Sequence, residues 1–278
     1  MRHALLLLTT VLCTAVVAPA HAIVGGTDTS SFGQVASGVQ IAPNWVLTAR
    51  HLGYSAGSSY SNGYGSATVA AVYDAGTGSY PFADLTLLRL DTAINAPTIE
   101  LNATALPEGS SYAIDATIVT GHNQVPRGYA FTTVREFQSM IDPDGDGPLG
   151  PVEANYLITY PTGFGAPYVE GGDSGGALFL GHVTDATGAN APLWGITSAQ
   201  IYDLDAQGHP IDYASGFVQV ASYRSWIDAT MMADATDAEL ANWTVTGAVP
   251  EPGTWGLLAL GLAALSLRRA RHAGSDAQ

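Results

Sequence analysis

Between residues 38 and 220 the chain breaks into short apolar or alternating runs, each closed by Gly, Asn, Pro or Ser. The runs are Gly38–Ala42, Trp45–Ala49, Ala67–Tyr73, Leu85–Leu90, Asp115–Thr120, Ala130–Phe137, Tyr156–Tyr160, Ala177–Leu180, Leu193–Ser198 and Gly216–Val220. Their length and their β-branched and aromatic content predict strands. Only Ser222–Met232 has a helical period, with Tyr223, Trp226 and Ile227 at i, i+3 and i+4. Many evenly spaced strands and one late helix predict an all-β sandwich or a pair of barrels. No repeat of fixed period is visible.

The two ends have patterns of a different kind. Arg2, the apolar run Ala4–Val17 and the small-x-small stretch Ala20-His21-Ala22 have the layout of a signal peptide over residues 1–22. At the other end, Val249-Pro250-Glu251-Pro252 precedes the mostly apolar Thr254–Leu267, then Arg268, Arg269 and Arg271. Those 14 residues would cover about 21 Å as a helix, and the arginines fit a cytoplasmic stop. This tail resembles the PEP-CTERM sorting signal of Gram-negative bacteria. The resemblance implies a short transmembrane helix within 249–272 and cutting by an exosortase near Pro-Glu-Pro. It implies an inner-membrane intermediate, then the cell surface or the medium. The expected order is therefore signal peptide (1–22), folded domain (23–232), connector (233–248) and sorting signal (249–272).

Charge narrows the partners. Residues 23–248 hold five arginines, no lysine and 22 Asp plus Glu, so 5 − 22 = −17. That excludes nucleic acid and anionic surfaces. The single cysteine, Cys13, falls inside the signal, so the exported chain has neither disulfides nor a thiol nucleophile.

The strongest chemical pattern is Gly171-Gly172-Asp173-Ser174-Gly175-Gly176. Glycines on both sides of one serine allow a tight loop that presents its hydroxyl. The N–H groups of Gly172 and Ser174 can converge there on a developing oxyanion. A serine nucleophile needs a base, and the base an orienting acid. Thr48-Ala49-Arg50-His51 places a histidine just beyond a strand, and Asp84 immediately precedes another. His122, His182 and His209 sit in expected turns and are read as structural or solvated.

In the order Ile23-Val24-Gly25-Gly26, Thr48–His51, Asp84–Leu88 and Gly172–Gly176, the chain resembles the trypsin/chymotrypsin-like serine proteases. Leu193–Ser198 and Gly216–Val220 with Tyr223–Ile227 extend the likeness over most of 23–230. The resemblance implies two six-stranded antiparallel β-barrels with a C-terminal helix. It implies a secreted endopeptidase acting on peptide or protein substrates through an acyl-enzyme. Ser174 would be the nucleophile, His51 the base, Asp84 its partner, and Gly172 and Ser174 the oxyanion hole. It also implies that a free Ile23 amine pairs with Asp173, here exposed by signal peptidase itself. A monomer needing no cofactor is expected. A non-catalytic surface- or matrix-binding module, or an esterase-like hydrolase, would use the same fold.

Some positions depart from the family. Leu52 and Arg50 flank the histidine where a cysteine and a small residue are usual. Tyr168 stands where trypsin-like members carry an aspartate, and Ser198, Ala199 and Gln200 would line the substrate pocket. Asp142, Asp144, Asp146 and Glu153, with Gly147, have the spacing of a calcium loop, although Pro148 and Pro151 interrupt it. A solvated acidic turn is the alternative.

Overall fold

A computed structural model describes residues 23–76, 84–120, 127–142, 152–161, 166–186, 191–234 and 240–246. The signal, residues 1–22, and the sorting tail, 249–272, lie outside them, as does His122. Among the described residues no helix is long and apolar enough to cross a membrane.

The N-terminal half contains β1 (Thr27–Thr29), β2 (Val39–Ala42), β3 (Trp45–Thr48), β4 (Ser59–Asn62), β5 (Gly65–Asp74) and β6 (Thr86–Leu90). Strands β2-β3-β6-β5-β4 form a five-stranded half-barrel. Its two open edges meet through the Gly63 N–H on the Gly33 carbonyl at 2.8 Å and Asn62 Nδ2 on Gln40 Oε1 at 2.6 Å. Val46, Tyr60, Val69, Leu88, Leu90 and Ile94 fill the inside.

Seven further strands follow: β7 (Glu100–Asn102), β8 (Gly109–Thr120), β9 (Arg127–Asp142), β10 (Val152–Thr159), β11 (Ala177–Leu180), β12 (Leu193–Leu204) and β13 (Pro210–Gln219). Order β11-β8-β9-β10-β13-β12 closes into a six-stranded barrel because β11 also pairs with β12. Ile118, Phe137, Leu157, Leu178, Trp194 and Phe217 fill its core, and Ile23 is buried among them. Of the two six-stranded barrels expected, the second is closed with six strands, and the first is a five-stranded half-barrel among the described residues.

A third apolar cluster joins the halves. Phe32, Ile41, Leu47, Leu85 and Leu87 meet Val119, Phe179, Ile196 and Val218 across the interface. Helix α1 (Arg224–Asp234), two residues later than the period predicts, buries Ile227 and Met231 against this cluster. Each such side chain contributes about 1.5–3 kcal/mol. A chain with a single cysteine forms no internal disulfide, so this packing carries the stability.

Two outcomes differ from the sequence expectation. The hairpin arms run on past their apolar cores, to Leu204 in β12 and from Pro210 in β13, where Tyr202 and Ile211 face solvent. The connector expected over 233–248 is not free chain throughout. Asn242–Thr244 forms β14, parallel to β7, and Trp243 packs on the inter-barrel cluster while its Nε1–H donates to Asp228 at 2.7 Å.

Candidate active site

Three loops reach one point between the halves. Strand β3 ends at Thr48 and the chain turns through a single 3₁₀ turn, Arg50–Leu52, that closes on left-handed Gly53. His51 stands on that turn. Asp84, 5% exposed, lies two residues before β6, and Ser174 lies on the loop entering β11.

The three side chains form one hydrogen-bonded line. His51 Nδ1 is 2.6 Å from Asp84 Oδ2, and His51 Nε2 is 2.7 Å from Ser174 Oγ. The His51 backbone N–H donates to Asp84 Oδ1 at 2.8 Å, fixing the turn against the carboxylate. A carboxylate accepts only, so Nδ1 carries the proton and Nε2 is left as the acceptor for the serine hydroxyl. The hydrogen bond to Asp84 raises the imidazole pKa above its ordinary 6.5; burial opposes this and the Asp84 charge adds to it.

The serine loop is shaped by its glycines. Gly175 has φ +81°, and a Cβ there would lie 2.4 Å from the Ser37 carbonyl oxygen and 2.7 Å from Thr48 Oγ1. Only glycine lets the loop seat on the N-terminal half this closely. The Gly175 N–H donates to Thr197 and the Thr197 N–H to Gly176, both at 2.9 Å, stitching the loop to β12. Neither the Gly172 nor the Ser174 N–H reaches an acceptor among the described residues.

Ile23 and Asp173 are both buried, Asp173 at 3% exposure. Val24 bridges to Tyr168, five residues before Asp173. Burial pushes the Asp173 carboxyl up to about 7; hydrogen bonds from the Glu170 N–H and the Thr120 side chain oppose this, and the like charge of Glu170 adds to it. In the chain as translated the Ile23 nitrogen is a peptide nitrogen bonded to Ala22, so no ammonium faces this carboxyl.

The Ser198 hydroxyl donates to Asp84 Oδ2 at 2.5 Å. It thereby becomes the third donor on that carboxylate. Tyr168 stacks on Tyr213, with ring centroids 4.8 Å apart and planes 12° from parallel, so aromatic surface stands where an acid was absent. Gln200 is half-buried on β12 opposite Ser215. Arg50 does not present a free charge beside the histidine; its Nε lies 3.3 Å from Asp74 Oδ2. His182 stacks on Phe131 and His209 pairs with Asp205 at a hairpin tip, both away from the triad. Asp142 ends β9 and Glu153 pairs with Ile141 from β10, so the acidic segment connects a hairpin. Asp144 and Asp146 lie outside the described residues.

Comparison with known proteins agrees with this geometry. Among solved structures, a mutant of human heparin binding protein superposes with a TM-score of 0.52 at 18% identity, over 78% of this chain and 100% of that one. An atomic-resolution structure of the same protein gives 0.50 at 17% identity, over 78% and 99%. The Rv3671c protease of M. tuberculosis in its active form gives 0.44 at 18%, over 74% and 75%. At such identities the two likenesses to heparin binding protein speak to the fold alone. No curated protein matches the chain. The family model for the PEP-CTERM protein-sorting motif matches residues 248–270, which indicates export and surface sorting. The family model for trypsin matches residues 16–227, most of the chain, and with this fold behind it the chain belongs to the trypsin family of serine proteases.

Proposed function

We propose that the chain is an exported serine endopeptidase that works through an acyl-enzyme. The supporting observation is the unbroken line from Ser174 through His51 to Asp84, at 2.7 and 2.6 Å. Ser174 Oγ attacks the substrate carbonyl as its proton passes to His51 Nε2. The imidazolium so formed is stabilised by Asp84, and the new oxyanion by the N–H groups of Gly172 and Ser174. His51 then protonates the leaving amine, and water repeats the sequence to free the acid.

Maturation belongs to the same proposal. Signal peptidase cuts after Ala22, and the Ile23 ammonium becomes the partner of Asp173. An exosortase later acts on the tail, after an inner-membrane stage held by Thr254–Leu267. Tyr168, stacked on Tyr213, takes the place of the aspartate of trypsin-like members, which argues against their preference for a basic substrate residue.

The test has two stages. A fluorophosphonate should label the exported protein at Ser174, and Ser174→Ala should abolish labelling. Digestion of a peptide library should then release new termini, with Ser174→Ala or His51→Ala lowering turnover by about 10⁴-fold or more. No labelling would support a binding module. Labelling with ester but no peptide hydrolysis would support an esterase.

A further inference from the structure

The His51 turn is one 3₁₀ turn long, and nothing covalent anchors it, because the chain after residue 22 has no cysteine. Besides the His51 N–H bond to Asp84, a second hold on it runs across three strand ends. Thr48 in β3 is the register partner of Thr86 in β6, and Thr86 is the partner of Asp74 in β5. Arg50, two residues beyond Thr48, spans this row to place its Nε 3.3 Å from Asp74 Oδ2. The other carboxylate oxygen, Asp74 Oδ1, accepts the Thr86 hydroxyl at 2.5 Å. Thr86 is buried, and the Arg50 and Asp74 side chains are only 22% and 31% exposed. One carboxylate therefore grips the turn that carries His51 and the strand that Asp84 leads into.

We propose that Asp74 is a positioning residue for the triad, locking the His51 turn to the Asp84 strand and neutralising the Arg50 charge on that same turn. The inference rests on His51 being the base. Its two effects are separable. The mechanical one holds His51 Nε2 on Ser174; the electrostatic one keeps a neighbouring guanidinium from opposing protonation of the ring.

The charged and titratable groups around His51 are Asp84 before β6, Arg50 on its own turn, Asp74 at the end of β5, and Asp173 with Glu170 on the serine loop. Asp173 titrates near neutrality in the uncut chain, so a rate profile alone would mix two groups. Imidazole NMR reads His51 directly. In the exported protein carrying Ser174→Ala, Asp74→Asn should lower the His51 pKa by about half a unit, and Arg50→Gln should raise it by about as much. That is the scale of one unit charge at roughly 10 Å in a medium between protein and water. The double variant should return close to the parent value. With Ser174 restored, all three should lose roughly tenfold in kcat with KM changed less than about twofold. Thr86→Val, which removes one grip and no charge, should lower kcat and leave the His51 pKa unmoved.

A purely structural pair would shift the melting temperature and leave the imidazole alone. Single-variant shifts that share one sign, or that are absent, overturn the proposal. So does an unchanged kcat in Asp74→Asn. Should the parent hydrolyse no substrate at all, the peptidase reading fails, while opposite NMR shifts would still uphold the clamp.

Discussion

A carboxyl held at about 7 inside the protein makes the uncut chain sensitive to pH in a way that the cut chain should escape. Asp173 has an ordinary value of 3.8 and is raised to about 7 by burial. The folded state therefore holds this proton more tightly than the unfolded state. Its contribution to stability is complete below 3.8, and it is lost as pH rises through about 7. The difference, about 3 units at ~1.4 kcal/mol each, is roughly 4 kcal/mol. Local opening of the Gly171–Gly176 loop caps that figure, because the loop will open once opening costs less. A free Ile23 ammonium removes the cost by pairing with the ionised form. The comparison is between protein beginning at Ile23 and protein retaining Ala22, both with Ser174→Ala to prevent self-digestion. Urea unfolding from pH 4 to 8 should show the extended form falling behind by up to about 4 kcal/mol across that range. All other titrations are shared, so the difference isolates one pair. Asp173→Asn should flatten the difference. Parallel pH curves for the two forms, or a difference that survives Asp173→Asn, would refute the reasoning.

The acid limb of kcat/KM should have its midpoint above 6.5, since Asp84 raises the His51 pKa and the base must be neutral. A midpoint at or below 6.5 would contradict this. Gly175→Ala forces a Cβ to within 2.4 Å of the Ser37 carbonyl oxygen at positive φ, and should cost more than about 2 kcal/mol in urea unfolding together with most of the activity. A calcium ion held by Asp142, Asp144, Asp146 and Glu153 would raise the melting temperature, and Asp144→Ala would cancel the rise. Scanning calorimetry with and without calcium checks this, and no shift in the parent protein leaves a solvated turn.

The sequence made the triad legible because its members sit in stretches whose local chemistry is strict. Glycines around Ser174, a strand end before His51 and a buried strand after Asp84 each have a reason visible within a few residues. Central strands were equally clear, since burial on both faces leaves mostly apolar runs such as Leu85–Leu90. Strands β1, β4, β7 and β14 were not, because three or four mostly polar residues carry no period, and a strand such as Thr27–Thr29 owes its form to a partner far along the chain. Tertiary pairing hid the role of Ser198 in the same way. Its hydroxyl meets Asp84 across 114 positions, and nothing near it in sequence announces an acid to bind. Asp74 was hidden for a similar reason, since its two partners belong to two other segments.

Strand β14 sets where the keepable protein stops. Trp243 is anchored by Asp228 and lies beneath the Arg224 guanidinium, 5.2 Å from its ring centroid. Beyond it, the Thr246 hydroxyl donates to Asn102, and its carbonyl accepts from the Thr104 hydroxyl. The sorting-motif match begins at residue 248, two positions on. A cut upstream of Thr246 would tear a strand out of the sheet, whereas one at Pro-Glu-Pro trims only what lies past it. An exosortase cutting at Pro-Glu-Pro, as proposed above, would work close against the folded domain, because the chain can extend no more than ~14 Å between Thr246 and Pro250. The fold would then act as its own ruler for the new C-terminus.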